Sequence, residues 1–373
     1  MLNNLILNKN PVKIKRALVS VFDKTGVVDL AKSLNKLGVE ILSTGGTAAA
    51  LNSANIPVTD VSSYTRFPEI MDGRVKTINP LIEGGILGLR DKHNKDALDN
   101  KIQWIDLVIC NLYPFSEVIK REDCDFALAM EHVDVGGPTM IRSAAKNVGW
   151  ACVVVDSADY SSIIEELKSG NVSFETRKQL SVKAFGHTAQ YDAVIHKYLS
   201  DEKFPDKLTT TYEKHSVLRY GENPHQAASA FKIINDQSAN ILNAKIHQGK
   251  ALSYNNIMDA DAALSCIKEF DKTACVIIKH ASPCGVAEGK NLLEVYRNAF
   301  DADSLSAFGG IIALNKNCSA DLANEINKVF VEIVLAPSFD REALKVFSNK
   351  KNLRILETGD INKRKDKLEI RNL

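Results

Sequence analysis

The chain has 373 residues, 45% apolar and 25% charged, and its 47 basic and 46 acidic side chains leave a net charge of +1. That length exceeds one typical domain and predicts two or three, each with the composition of an ordinary globular protein. A near-neutral balance supplies no global field for nucleic acid or a membrane surface, so any anionic ligand must be held by local lysines and arginines.

In chain order, Met1 to Lys15 carries a short apolar patch but no signal-peptide pattern, and no later stretch reaches membrane-spanning length, which predicts a cytoplasmic protein. Arg16 to Phe22 is apolar and β-prone, and Asp23-Lys24-Thr25-Gly26 then turns into a helix whose apolar face is Val27, Leu30, Leu34 and Leu37, ended by Gly38. Val39 to Leu42 is the next strand; Ser43-Thr44-Gly45-Gly46-Thr47 follows and opens a helix through Ala54. Strand, turn, helix, strand, Gly-rich turn, helix predicts a parallel sheet covered by helices. Small hydroxyls, permissive glycines and a helix start suit a phosphate cradle, although a turn that merely caps its helix fits the same residues.

Asp72-Gly73-Arg74-Val75-Lys76-Thr77 sets two cations around one valine between turn-forming Pro68 and Pro80; both cations also fit a solvated surface. Ile105 to Cys110 reads as a buried strand feeding Asn111 to Phe115, which puts Tyr113 at the sheet's carboxyl edge. In Asp134-Val135-Gly136-Gly137-Pro138, an acid and a flexible loop precede a helix start, with Lys146 at the end of the same motif. Lys24, Ser43 to Thr47, Lys76, Tyr113, Asp134 and Lys146 are all expected at one edge of one sheet. Trp150 to Val155 adds a strand, and Phe174 to Leu199 a long helix.

The pattern divides into a domain over 1–199, a polar linker over 200–214 and a second domain over 215–373. In the second, Leu218 to Gln226 and Gly249 to Asn256 read as structured loops. The strand Ala274 to Ile278 ends in Lys279-His280 ahead of a Pro/Gly turn. A helix near Leu292 to Phe300, a strand Ile311 to Leu314 and a helix from Ser319 to Ile333 complete an α/β unit. The stretch from Asn349 to Leu373 is rich in lysine and arginine, with no interleaved aromatics of the kind single-stranded nucleic acid needs. Seven cysteines without a C-x-x-C pair, and eight histidines without H-E-x-x-H spacing, argue for reduced thiols and against a bound metal.

Taken together, SVFDKTG, LSTGGTA, FPEIMDGRVKT, CNLYPF, DVGGPTMIRSAAKN, LRYGENPHQ, GKALSYNN, VIIKHASPCGVA and SAFGGIIALN stand in the order of the bifunctional purine-biosynthesis family, and the whole chain resembles it. That family joins an IMP cyclohydrolase domain to an AICAR transformylase domain. The resemblance implies a methylglyoxal-synthase-like parallel-sheet domain followed by a cytidine-deaminase-like domain without zinc. It implies closure of formyl-AICAR to IMP without cofactor or metal. Lys76 and Tyr113 would stabilise the formyl oxygen, Asp134 and Lys146 would handle the carboxamide and leaving-group protons, a shuttle that burial and neighbouring cations at Lys146 would favour, and Lys24 with Ser43, Thr44, Gly45, Gly46 and Thr47 would hold the phosphate. Arg74, Gly136 and Gly137 would also meet substrate. For the second domain it implies formyl transfer from 10-formyltetrahydrofolate to AICAR, with His280 taking the amine proton, Lys279 stabilising the oxyanion, and Arg219, Tyr220, Lys250 and Asn255 contacting nucleotide. A cytoplasmic homodimer using purine nucleotides and folate, with no nucleic acid and no membrane, is the implied setting. Family members usually have histidines where Asn79 and Glu83 stand here, and glycine where Arg66 stands. They also continue past Leu373, so an incomplete transformylase domain is expected. A methylglyoxal-synthase-like lyase, or a nucleotide-binding remnant without catalysis, are the alternative readings.

Overall fold

The computed structural model describes residues 6–200, 202–234, 236 and 238–361, and divides into two compact units, 1–210 and 211–373. The part of the basic tail beyond Ile361 lies outside the described residues.

The first unit is a five-stranded sheet of β1 (Arg16–Ser20), β2 (Glu40–Ser43), β3 (Thr59–Asp60), β4 (Leu107–Cys110) and β5 (Cys152–Val154), in the order β3-β2-β1-β4-β5 with every pair parallel. Its helices are α1 (Val27–Lys36), α2 (Gly45–Ser53), α3 (Val61–Thr65), α4 (Pro80–Leu87), α5 (Asn94–Asp99), α6 (Phe115–Val118), α7 (Phe126–Glu131), α8 (Gly136–Lys146), α9 (Tyr160–Lys168) and α10 (Phe174–Leu199). Side chains alternate across the strands. Ala17, Val19, Ile41, Leu107 and Ile109 pack beneath α1 and α9, whereas Leu18, Leu42, Val108 and Cys110 pack beneath α4 and α8. Both faces are therefore buried, which is why the strands read as continuous apolar runs. The chain winds from β1 out to β3 and then returns on the other side through β4. The carboxyl ends of β1 and β4 thus flank the point where strand order reverses, where open parallel sheets form a ligand crevice.

The second unit contains a ribbon of β6 (Tyr212–Leu218) and β7 (Ala228–Ile233), and a six-stranded mixed sheet. The sheet consists of β8 (Lys245–Gln248), β9 (Thr273–Lys279), β10 (Ser282–Gly289), β11 (Ile311–Leu314), β12 (Ile333–Ala336) and β13 (Arg354–Glu357), in the order β10-β9-β11-β12-β13-β8. Strands β11, β12 and β13 are parallel, and β8, β9 and β10 run antiparallel to their neighbours. Helix α11 (Tyr254–Ile267) covers one face, while α12 (Leu292–Ala302), α14 (Ala320–Ile326) and α15 (Arg341–Ser348) cover the other; α13 (Ser304–Ala307) is a short turn of helix.

Two sequence expectations are corrected here. The helix expected from Ser319 to Ile333 stops at Ile326, and Ile333 begins β12. Val329, Val331, Ile333 and Val334 form a β-branched run that favours extended backbone over helix. Ser282-Pro283-Cys284-Gly285, read as a Pro/Gly turn, is the start of β10, with an irregularity between Pro283 and Gly285.

Candidate functional site

At the carboxyl edge of the first sheet, Asn111 ties the ends of β1 and β4 together. Its Oδ1 accepts from the backbone N–H groups of Phe22 (2.6 Å) and Asp23 (3.0 Å), and its Nδ2 donates to the Asp23 carbonyl at 3.0 Å. The rings of Phe22 and Tyr113 lie 5.1 Å apart on the same rim, and Tyr113 is 44% exposed. Lys24 then leads into α1.

Between β2 and α2 the hydroxyls are spent on the protein itself. Ser43 Oγ donates to the Val19 carbonyl (2.7 Å), Thr47 Oγ1 accepts from Val21 N (3.1 Å) and donates to Val21 O (2.9 Å), and Thr44 Oγ1 donates to Glu69 Oε1 (2.6 Å). The cradle expected from small hydroxyls is thus a backbone one. Helix α2 opens at Gly45 with no side-chain cap, which leaves first-turn N–H groups and the positive end of the helix dipole for an anion. Gly45 sits at φ 54°, a conformation that glycine adopts without strain. A Cβ at Gly45 would stand 3.6 Å from Lys76 Nζ, and one at Gly46 would stand 3.7 Å from Lys24 Nζ. Two ammonium groups therefore flank the start of α2.

Lys76 arrives on a bent segment. Arg66, Met71, Asp72 and Gly73 all have positive φ (55°, 55°, 56° and 83°), and Ile70 and Val75 bridge across the turn. Arg74 at its tip pairs with Glu131, and both side chains are largely exposed. Thr77 reaches the start of α8, its Oγ1 lying 3.0 Å from where a Gly136 Cβ would be. Asn79 caps α4 by accepting from Leu81 N at 2.9 Å, and Glu83 one turn on accepts from Ser143 Oγ at 2.6 Å. Burial raises the Glu83 carboxyl above its usual range, opposed by the Ser143 bond.

Asp134 is the acid of the site. Its Oδ1 accepts from Gly137 N at 2.8 Å, and backbone N–H groups of Tyr113 and Gly136 also act on it. Burial raises its pKa, against those hydrogen bonds and the positive charge of Lys76. A Cβ at Gly137 would lie 2.5 Å from Asp134 Oδ2 and 2.6 Å from Leu112 Cδ2, so glycine is what lets the carboxylate approach the helix start. Tyr191 of α10 completes the arrangement: its hydroxyl accepts from Asp134 N at 2.8 Å and donates to His132 O at 3.3 Å.

Lys24, Ser43 to Thr47, Lys76, Tyr113, Asp134, Gly136 and Gly137 are thus brought to one edge, with Arg74 on the adjoining turn. Lys146 is not. It is an exposed residue at the last position of α8, and ten helical steps from Gly136 put it about 15 Å along the axis. Neighbouring Asn147 donates to the Ile86 carbonyl at 2.6 Å and accepts from Ala151 N just before β5 begins, so Lys146 lies at the amino edge of the sheet. The expected burial of Lys146 does not occur. Asn111, Glu69 and Tyr191 are contributors that sequence reasoning missed.

In the second unit, Lys279 is the last residue of β9 and His280 is exposed on the turn to β10. His280 and Ala281 have φ 55° and 57°, the signs of a two-residue type I′ hairpin turn. Lys279 Nζ donates to the Phe308 carbonyl (2.9 Å), and Ala281 N donates to Asp259 Oδ1 (2.8 Å). The Arg219 guanidinium lies over the Tyr220 ring at 5.9 Å. Lys250 accepts through its carbonyl from Arg354 Nε (3.1 Å), and Asn255 is exposed in the first turn of α11. Among the described residues no hydrogen bond, ion pair or ring contact joins Arg219 or Tyr220 to Lys279 or His280. Nor, among those residues, does any group of three His, Cys, Asp or Glu side chains form a metal site, and no helix is long and apolar enough to cross a membrane.

Comparison with known proteins matches residues 26–139 to the MGS-like domain and residues 144–373 to the AICARFT/IMPCHase bienzyme. The bifunctional purine biosynthesis protein PurH of Acetivibrio thermocellus is 49% identical over 355 residues, covering 93% of this chain and 69% of that protein. PurH of Listeria monocytogenes serotype 4b is 50% identical over 349 residues (92% and 69%), and PurH of Caldicellulosiruptor saccharolyticus 48% identical over 358 (94% and 70%). The chain belongs to the AICARFT/IMPCHase bienzyme family of purine biosynthesis.

Proposed function

We propose that the first unit closes formyl-AICAR to IMP at the crevice between the ends of β1 and β4. The chain is a purine-biosynthesis enzyme of the bifunctional type, with IMP cyclohydrolase and AICAR formyltransferase as its two activities. In the cyclisation, the carboxamide nitrogen attacks the formyl carbon of the same molecule and gives up a proton to the formyl oxygen; the resulting hydroxyl then leaves as water with the proton of the former formamide nitrogen as the ring becomes aromatic. Both reacting groups are in one substrate, so folding and polarising it supplies much of the rate.

The ribose phosphate sits at the uncapped start of α2 between Lys24 and Lys76. Lys76 and Tyr113 face the formyl oxygen and stabilise its developing charge. Asp134 takes the carboxamide proton. A carboxyl whose pKa burial has raised is a better proton acceptor than an ordinary surface carboxylate. What carries this reading is the convergence of two lysines and one half-buried acid on the starts of α2 and α8 at the sheet's switch point. Asp134→Asn keeps the shape of the site. It should lower turnover of formyl-AICAR about 100-fold or more while IMP still binds; unchanged turnover would remove Asp134 from the mechanism.

For the second unit the corresponding reading is formyl transfer from 10-formyltetrahydrofolate to the AICAR amine, with His280 accepting the amine proton and Lys279 stabilising the tetrahedral oxyanion. Arg219, Tyr220, Lys250 and Asn255 are its nucleotide contacts. A homodimer in the cytoplasm completes the reading, and any part Lys146 takes in the first reaction then comes from a second copy of the chain.

A further inference from the structure

Thr44 occupies the N-cap position of α2 in extended backbone (φ −146°, ψ 160°), yet its hydroxyl does not cap the helix. It is 3% exposed and donates to Glu69 Oε1 at 2.6 Å, within the range of a charge-assisted hydroxyl–carboxylate bond. The other hydroxyls of the turn, on Ser43 and Thr47, are engaged with the end of β1. Among the described residues, Thr44–Glu69 is the sole hydrogen bond from the turn before α2 to the bent segment 66–77 that delivers Lys76 to Gly45 and Thr77 to Gly136. The second oxygen of Glu69 lies 3.6 Å from where a Gly73 Cβ would stand, so this one carboxylate spans from the helix start to the tip of the turn. The segment has four residues at positive φ and would not hold that shape through its own backbone preferences.

We propose that Glu69 is a positioning residue: through Thr44 it latches the lysine-bearing segment to the start of α2, and so fixes Lys76 over the position of the substrate phosphate. The proposal rests on the reading of this edge as the nucleotide site. Diverting the Thr44 hydroxyl to Glu69 has a second effect, since it leaves the first N–H groups of α2 to the ligand instead of to a side-chain cap.

The test is binding of IMP and of inosine, which lacks the phosphate, to the full chain and to Glu69→Ala, Glu69→Gln, Thr44→Val, Thr44→Ser and the Glu69→Ala/Thr44→Val double variant. Loss of a hydrogen bond to a charged group predicts IMP binding weakened about tenfold or more in Glu69→Ala and in Thr44→Val. Inosine binding should change less than about twofold, because neither IMP nor inosine carries the formyl oxygen that Lys76 also faces, and the latch then reaches binding only through the phosphate. The double variant should bind IMP no worse than either single one. Thr44→Ser, which keeps the hydroxyl, should stay close to the parent, and Glu69→Gln, which keeps an acceptor but loses the charge, should fall between the parent and Glu69→Ala; both remain informative where a truncating variant does not fold. Equal losses for IMP and inosine, or additive losses in the double variant, would overturn the latch while leaving the site intact. A folded parent chain that binds no IMP would overturn both the latch and the site.

Discussion

Gly137→Ala tests the geometry of the acid most sharply. The added methyl would stand 2.5 Å from Asp134 Oδ2 and 2.6 Å from Leu112 Cδ2, closer than side chains pack, so something must move. Swinging Asp134 aside forfeits its hydrogen bond from Gly137 N, worth about 1.5–3 kcal/mol for a charged acceptor. Leaving it in place compresses a packed contact at about 1–3 kcal/mol. Gly137 is not at positive φ, so alanine meets no backbone strain and returns up to about 1 kcal/mol of helix propensity. The net loss of stability is then at most about 3 kcal/mol and about 0.5–2 kcal/mol when the full helix-propensity gain offsets the lost hydrogen bond, a fall in Tm of roughly 1–8 °C in that case for a unit of this size. The effect on catalysis is larger, because a 1 Å displacement of a reacting group costs about 100-fold in rate. Gly136→Ala is the graded comparison: its methyl meets only Thr77 Oγ1, at 3.0 Å, so it should slow turnover much less. Formyl-AICAR turnover and thermal melts of both variants supply the readout. Gly137→Ala turning over within threefold of the parent would refute the assignment of Asp134 to the reacting centre.

Other expectations follow from the same contacts. Burial raises the Glu83 pKa above 4.5 in the folded chain, so the folded state holds this proton more tightly than the unfolded one. Its stability contribution is full below about pH 4.5 and is lost as pH rises through the folded pKa. Glu83→Gln should therefore gain on the parent in urea midpoint between pH 5 and pH 7.5, and an offset independent of pH would contradict this. Arg66 ends α3 at φ 55°; Arg66→Gly relieves about 1–2 kcal/mol of left-handed strain against about 0.5–1 kcal/mol of added chain entropy. It should raise Tm slightly, whereas a lowered Tm would show that Arg66 makes a compensating contact. Mixing Lys146→Ala chains with Asp134→Asn chains should restore turnover that neither has alone if Lys146 serves a partner's site. No recovery in a mixed dimer would remove Lys146 from the reaction.

Much of the first unit is legible in its sequence because burial on both faces of a parallel sheet leaves continuous apolar runs such as Leu107–Cys110, separated by amphipathic helices such as Val27–Lys36. The strand ends, and with them Lys24 and Tyr113, follow from that alternation, whereas Lys76 and Asp134 arrive on the segments ahead of α4 and α8 and are legible only through their motifs. Lys146 did not follow, since residues adjacent in a motif are separated in space once a helix runs between them. Contacts across long sequence separations carry no local signal: Asp134 N to the Tyr191 hydroxyl spans 57 residues, and Asn111 to Phe22 spans 89. The turn at His280 and Ala281 was hidden for a different reason, because positive φ at both residues normally selects glycine or asparagine and neither is present. The hydroxyls of Ser43, Thr44 and Thr47 have the right composition for a phosphate cradle, yet each is turned to the protein, and only hydrogen-bond geometry distinguishes the two uses.

The most direct test of the central claim is IMP formation from formyl-AICAR by the purified 373-residue chain, followed spectroscopically beside Lys76→Ala. The cyclohydrolase assignment predicts turnover by the parent chain that collapses in the variant while both remain folded. A folded parent that forms no IMP, or a Lys76→Ala chain that turns over as fast as the parent, would contradict it.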